Sequence, residues 1–261
     1  MILNTLVAST KERVDQKKNR RSYSSLRREA EALPKDSTFQ FEKALAGTEL
    51  SFICEVKKAS PSKGLIDPKF SHLKIAKEYV AAGATAISVL TEPIYFKGHD
   101  IHLQEIANTV AIPVIRKDFI LDPYQIYEAK VLGAAAILLI GTILDLSQMK
   151  EYLAICHELG LSALVEAHDE TEVEQALKAE SRLIGVNNRD LTTFQVDLQT
   201  CIRLRNLVPE SIPFIAESGI KTAADIELLR AARVNGVLIG EILMRSHNKL
   251  ATLHQLRGLT P

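Results

Sequence analysis

At 261 residues, 46% of them hydrophobic, the chain can bury roughly 70–75% of its unfolded surface around one large core, so no disulfide or metal staple is required to hold it. Lysine plus arginine equals aspartate plus glutamate at 32 each, which argues against a global field drawing the chain to nucleic acid or to an anionic membrane and leaves a small polar molecule as the expected partner. Cys54, Cys156 and Cys201 are odd in number, far apart and without the paired spacing of a zinc site or a redox motif, a pattern that fits reduced thiols in a cytoplasm.

Residues 1–48 stand apart from the rest of the chain. Leu3, Leu6, Val7, Thr10 and Val14 make one helical stripe, and Leu26, Ala30 and Leu33 a second, so this segment is expected to be a helical extension. The opening Met1-Ile2-Leu3-Asn4-Thr5-Leu6 lacks the basic region and long apolar core of a secretory signal. Six of the eleven residues from Lys11 to Arg21 are basic, a composition that also suits a nucleic-acid arm. Glu12 and Asp15 interleave with them, however, and the remaining residues cancel their charge, so an ordinary solvated helix face is preferred.

From Phe52 onward, short β-rich runs alternate with helical patterns, the signature of repeated βα units and a parallel sheet. Eight strands are predicted: Phe52–Lys57, Ala86–Leu90, Val114–Lys117, Ala136–Ile140, Ser162–Glu166, Leu183–Asn187, Phe214–Glu217 and Gly236–Ile239. Between them lie amphipathic helices such as His72–Ala81, Tyr124–Leu132, Leu146–Glu158, Glu170–Leu177 and Ala223–Arg230, and Gly83, Gly133 and Gly160 each come just after one, as residues that close a helix in the left-handed conformation do. The uncharged stretch from Val131 to Leu144 is too short to cross a bilayer and reads as a strand with its flanks. A doubly wound open sheet also alternates, but no GxGxxG succeeds the first strand. The expected fold is α/β, a (β/α)8 TIM barrel over residues 49–261 with the helical extension before it, in a single domain.

Side chains alternate along a strand, so Glu55 and Lys57 share a face opposite Phe52, Cys54 and Val56. With the apolar set against the helices, a carboxylate and an ammonium point into the barrel at a strand end, where barrel enzymes place catalytic groups. A structural ion pair filling the mouth reads equally well for one such pair. Lys117, Glu166 and Glu217 repeat the pattern at the ends of three further apolar runs, and the sixth strand ends at Asn187, next to Asn188 and Arg189. Two lysines, three glutamates and an asparagine on one rim favour a catalytic cluster, since a merely structural barrel has little reason to desolvate them.

Ser218-Gly219 and Gly240-Glu241 lie just after the seventh and eighth strands, where barrels bind phosphate through backbone N–H groups. Ser60, within Ser60-Pro61-Ser62-Lys63-Gly64, offers a further hydroxyl. Leu90, Phe96, Phe119, Leu138 and Leu191 lie at or just beyond strand ends on the same rim. Singly each suits core packing; together they form an apolar wall able to sandwich an aromatic ring.

The motifs Glu55-Val56-Lys57-Lys58-Ala59-Ser60-Pro61-Ser62, Arg116-Lys117-Asp118-Phe119, Leu164-Val165-Glu166, Gly185-Val186-Asn187-Asn188-Arg189-Asp190-Leu191 and Ala216-Glu217-Ser218-Gly219-Ile220 occur in this order. Together they resemble the indole-3-glycerol-phosphate synthase family, and Ser88-Val89-Leu90-Thr91-Glu92 with Tyr95-Phe96 resembles its second strand and loop. The resemblance implies ring closure, decarboxylation and dehydration of 1-(2-carboxyphenylamino)-1-deoxyribulose 5-phosphate to indole-3-glycerol phosphate, with no cofactor and no metal. By position, Lys117 resembles the general acid that protonates the ribulose carbonyl, and Lys57 the contact to the substrate carboxylate that assists later proton transfer. Glu166 resembles the base or acid of the dehydration. Glu55 and Glu217 would then set the lysines' charge states, and Asn187 would orient substrate groups. Glu241 stands where some members have a serine.

Two other readings compete. Phosphoribosylanthranilate isomerase would require a cysteine and aspartate pair at strand ends, whereas Cys54 faces outward and no aspartate ends the seventh strand. A non-catalytic binding barrel would lose the rim charges that this chain keeps. A cytoplasmic monomer or weak homodimer is expected, acting on a small molecule with neither nucleic acid nor membrane as partner. Its extension is expected to cover the mouth, and the barrel to fold without residues up to Ala44.

Overall fold

The computed structural model describes residues 2–190 and 193–259. The extension contains three helices, α1 (Ile2–Arg20), α2 (Tyr23–Ala32) and α3 (Gln40–Leu45). Eight parallel strands come next: β1 (Ser51–Val56), β2 (Ala86–Leu90), β3 (Val114–Lys117), β4 (Ala136–Ile140), β5 (Ser162–Ala167), β6 (Ile184–Asn187), β7 (Phe214–Glu217) and β8 (Gly236–Ile239). They pair in sequence order and close into a barrel where β1 meets β8, with Ser51 opposite Gly236 and Cys54 opposite Ile239. The bounds match those expected to within one residue. β1 starts one residue early and ends at Val56, so Lys57 lies just past it, while β6 begins at Ile184.

The connecting helices are α4 (His72–Ala81), α5 (Asp100–Ala107), α6 (Pro123–Val131), α7 (Leu146–Leu159), α8 (Glu170–Lys178), α9 (Leu198–Arg205), α10 (Ala223–Ala231), α11 (Glu241–Arg245) and α12 (Lys249–Leu256). Their starts are written locally. Asp122, Asp145, Asp169 and Thr222 accept backbone N–H groups of the first turns of α6, α7, α8 and α10, donors that would otherwise be unsatisfied. Gly83, Gly133 and Gly160 all take positive φ just past their helices. The stretch from Val131 to Leu144 divides into the end of α6, β4 and a 3-10 turn, and no helix among the described residues is long and apolar enough to cross a membrane.

Alternation along the strands produces two apolar layers. Phe52, Cys54 and Val56 face outward into the layer shared with the helices, whereas Ile53, Ile115, Leu164 and Ile215 fill the barrel interior. All three cysteines are buried and free.

The extension does more than cover the mouth. Phe41 and Leu45 of α3 are fully buried and belong to the interior cluster with Ala86, Ala136 and Leu183 at the strand starts. The third helix therefore plugs the barrel floor, and Arg182, just before β6, clamps it by an ion pair to Glu42 at 2.9 Å. This argues against the expectation that the barrel folds without residues up to Ala44: such a deletion removes the buried Phe41 ring, and large-to-small change at a buried aromatic typically costs about 3–5 kcal/mol. The basic run of α1 is directed at carboxylates of the same chain. Lys17 meets Asp100 and Glu128, Lys18 meets Asp122, Arg13 meets Asp118 and Arg21 meets Glu29.

Candidate active site

The C-terminal ends of the strands open into a cavity of about 630 Å³, within the size range of small-molecule sites. At its centre, Lys117 on β3 donates from Nζ to Glu166 Oε2 on β5 at 2.8 Å and to Glu217 Oε2 on β7 at 2.6 Å. Beside this triad, Lys57 donates to Glu55 Oε1 at 2.5 Å. Period-two alternation delivers these side chains inward, and barrel closure makes residues 100 apart in sequence neighbours.

Two lysines face three carboxylates here, and burial decides how the protons are shared. Burial alone would discharge Lys117, but Glu166, Glu217 and Glu55 outweigh it and raise its pKa above the ordinary lysine value. Glu217 moves the other way from a normal surface carboxylate. Burial and the neighbouring Glu166 push it up to about 7 against the pull of Lys117, and its Oε1 is buried without a hydrogen-bond partner. Burial also acts to raise Glu166, yet Lys117 and His168 hold it low. The result is a firmly ionised carboxylate and a proton-sharing one on the same ammonium.

The remaining expected residues converge on the same cavity. Ser60, Leu90, Phe96, Phe119, Leu138, Asn187, Arg189, Ser218, Gly219, Gly240 and Glu241 all line it. Leu191 lies outside the described residues. The Phe96 and Phe119 rings stand 6.4 Å apart at 47°, as two faces of an apolar wall. Phe96 is placed by Glu92, which accepts the backbone amides of Ile94, Tyr95 and Phe96 at 2.7–2.9 Å. Asn187 Oδ1 accepts the Arg189 amide at 3.1 Å. Its neighbour Asn188 is buried and donates to the Glu217 and Ser218 carbonyls, fixing the turn after β7.

In that turn Ser218 and Gly219 both take positive φ, 65° and 86°, a conformation that a side chain disfavours. A Cβ on Gly219 would also come within 2.4 Å of Val196 Cγ1, so the glycine serves packing as well as any anion. Gly240 has a different reason to be glycine. A Cβ there would lie 2.5 Å from Glu55 Oε1 and 3.0 Å from Lys57 Nζ, so its absence makes room for the ion pair. The Glu241 carboxylate is 3.6 Å from Lys63 and 3.3 Å from Arg245, and these cations offset its charge beside the loop.

Several lining residues were not singled out from sequence as cavity residues. Ile2, Leu3 and Leu6 of α1 roof the cavity, and Lys63, Lys221 and Arg245 add cations to its rim. The extension was expected to cover the mouth, and its helical stripe was legible, but which of its residues reach the cavity was not. His168 next to Glu166 and Gly185 beneath Glu217 were also missed; a Cβ on Gly185 would meet Glu217 Oε1 at 2.5 Å. Among the described residues no group of His, Cys, Asp and Glu side chains is arranged to hold a metal ion.

Residues 3–256 match the family model described as indole-3-glycerol phosphate synthase. The chain belongs to this family. It is 57% identical to the indole-3-glycerol phosphate synthase of Ruminiclostridium cellulolyticum over 99% of both chains. It is 52% identical to that of Endomicrobium trichonymphae over 98% of this chain and 100% of the relative. Among solved structures, 3-hexulose-6-phosphate synthase superposes with a TM-score of 0.64 at 14% identity, covering 81% of this chain and all of that one. Thiamine phosphate pyrophosphorylase from Pyrococcus furiosus does so with a TM-score of 0.59 at 16% identity, covering 80% and 94%. These two likenesses show the barrel fold alone. The rim cluster thus sits in a member of the synthase family.

Proposed function

We propose that this cavity performs the indole-3-glycerol phosphate synthase reaction, a carboxy-lyase step of tryptophan biosynthesis, with its labour divided among the clustered lysines and glutamates. The observation that carries the assignment is Lys117 Nζ held between Glu166 and Glu217 at 2.8 and 2.6 Å, facing a cavity with an aromatic wall. The substrate is 1-(2-carboxyphenylamino)-1-deoxyribulose 5-phosphate. Its aromatic ring lies against Phe96, Phe119, Leu90 and Leu138, and its phosphate meets the backbone of the Ser218-Gly219 and Gly240-Glu241 turns, with Ser60 and Arg189 nearby.

Condensation begins when the ring carbon bearing the carboxylate attacks the ribulose carbonyl. The oxygen gains negative charge, and Lys117 supplies its proton. That proton is firmly held at rest, but Glu217, its carboxyl pushed up to about 7, shares a proton and so lessens the negative charge holding it. Lys57, aligned by Glu55, faces the substrate carboxylate until carbon dioxide leaves. Dehydration then removes the new hydroxyl as water, with Glu166 taking a proton from the adjacent carbon of the new ring and Lys57 giving one to the departing hydroxyl, while Asn187 orients the ribulose hydroxyls. The steps move protons and make or break carbon–carbon and carbon–oxygen bonds with no change of overall oxidation state, work that lysine and carboxylate side chains can do without a cofactor.

With this reading goes a monomer or weak homodimer acting on a small molecule. Three buried free thiols support residence in a reducing cytoplasm. The decisive experiment mixes purified protein with the carboxyphenylamino substrate and monitors indole fluorescence. Product formation that requires Lys117 supports the assignment, and no product from folded protein overturns it.

A further inference from the structure

On the side of Glu166 away from Lys117 stands a histidine that this scheme leaves unused. His168 lies immediately past β5, and its Nε2 is 3.5 Å from Glu166 Oε1, while Glu166 Oε2 accepts from Lys117 at 2.8 Å. At the other end of the ring, Nδ1 is 3.0 Å from Glu172 Oε2, and the His168 backbone amide donates to the same oxygen at 2.9 Å. Glu172, in the first turn of α8, accepts the Thr142 hydroxyl at 2.6 Å. A Cβ on Gly141 would come within 3.3 Å of Glu172 Oε2, so the chain after β4 is shaped around this carboxylate. The His168 and Glu172 side chains are 15% and 13% exposed, a placement unlike that of a free surface pair.

Nδ1 faces a carboxylate and must carry a proton to satisfy it. In the neutral ring that choice would leave the Nε2 lone pair turned toward the Glu166 carboxylate, an unfavourable approach in a buried setting. Protonation at both nitrogens resolves it. The charged groups around the ring are Glu172 from α8, Glu166 from β5 and Glu217 from β7, with the Lys117 ammonium beyond Glu166. Burial favours the neutral ring, but the carboxylates outweigh it and raise the imidazole pKa.

We propose that His168, clamped by Glu172, is a positioning residue that keeps Glu166 ionised after Lys117 has given up its proton. This rests on the assignment of Glu166 to dehydration. Lys117 is the other cation touching Glu166, and it becomes neutral during condensation. Without the imidazolium, Glu166 would then sit buried beside Glu217 with no positive partner and would take up a proton before its own step. His168 separates the two halves of the reaction by holding the base ready while the acid is spent.

The test compares kcat and KM against pH for wild type, His168→Gln, Glu172→Gln and Glu166→Gln, with melting temperature as the folding control. Loss of a nearby opposite charge shifts a carboxylate by about one to three pH units, so in His168→Gln and Glu172→Gln the acid limb of kcat moves upward by that amount while KM changes little. NMR of the ring in wild type shows an imidazolium at neutral pH, and Glu172→Gln lowers its titration point. An acid limb that superposes on wild type in both variants, or a ring already neutral at pH 7, overturns the proposal while Glu166→Gln remains inactive. A Glu166→Gln enzyme with full turnover overturns the assignment of Glu166 instead.

Discussion

Arg13 of α1 donates from both guanidinium nitrogens to the two oxygens of Asp118, at 2.9 and 2.7 Å, and Asp118 is the residue next to Lys117. Asp118 also accepts from Thr91 Oγ1 at 2.7 Å and from the fully buried Arg116 at 3.2 Å. The helix that roofs the cavity with Ile2, Leu3 and Leu6 is thereby fastened to the strand carrying the central lysine. Roof and central lysine are one mechanical unit.

Arg13→Ala should therefore raise KM more than it lowers kcat, because the roof loosens while Lys117 keeps both carboxylates. Hydrogen bonds to charged groups contribute about 1.5–3 kcal/mol, and a loss of that order is expected in denaturant unfolding. Burial would raise the Asp118 carboxyl, but Arg13 and Arg116 hold it well below the usual range. A depressed folded-state pKa contributes stability that is complete above the unfolded value, near pH 4, and is lost as pH falls further. Arg13→Ala should flatten that acid dependence; an unchanged pH–stability curve would show that Arg116 alone sets Asp118.

Two truncations separate the roof from the floor. Removing residues 1–20 takes away α1 and should leave a folded barrel with weakened substrate binding. Removal through Ala44 also strips Phe41 from the interior and should prevent a cooperative thermal transition. Phe41→Ala in the full chain is expected to cost about 3–5 kcal/mol with little change in KM. A longer truncation that melts like the shorter one would refute the plug.

Lys117→Ala should lower kcat by about 10²–10⁴, equivalent to roughly 3–5 kcal/mol at the transition state. Binding of a reduced substrate analogue should fall much less, since ring and phosphate contacts come from other strands. Lys117→Arg should also fail, because guanidinium keeps its proton and cannot place one atom between two carboxylates in the same way. Retention of more than about a tenth of wild-type kcat in the alanine variant, well short of that loss, would pass the acid role to Lys57.

Inorganic phosphate should compete with substrate. Gly219→Val cannot report on the anion alone, because any Cβ there strikes Val196. Gly219→Ala in a Val196→Ala background removes that clash and leaves the strain of positive φ, about 1–2 kcal/mol. If the backbone of this turn binds the anion, phosphate inhibition weakens in the double variant relative to Val196→Ala. Equal inhibition in the two would move the phosphate to the Gly240 turn.

Much of the barrel was legible because its signals are local. Period-two alternation puts Ile53 and Glu55 on one face and Phe52 and Cys54 on the other within a single strand, and a charge ending each apolar run marks the rim wherever the strands later go. Helix starts such as Asp145 and Asp169 are equally local, since a cap spans three residues. The family motifs are contiguous stretches for the same reason. Tertiary structure decided what depends on neighbours far apart in the chain. Nothing near Phe41 says that it fills the floor of a barrel yet to be built, and nothing near Arg13 names a partner 105 residues away. His168 has both carboxylates, Glu166 and Glu172, within four residues, and what tertiary structure adds is their burial and the Lys117 ammonium on the far side of Glu166. The three glutamates are alike in sequence, and Glu217 and Glu166 acquire opposite proton affinities only when closure sets one ammonium between them and excludes water, because the cost of burial and the sign of each neighbour are properties of the assembled site.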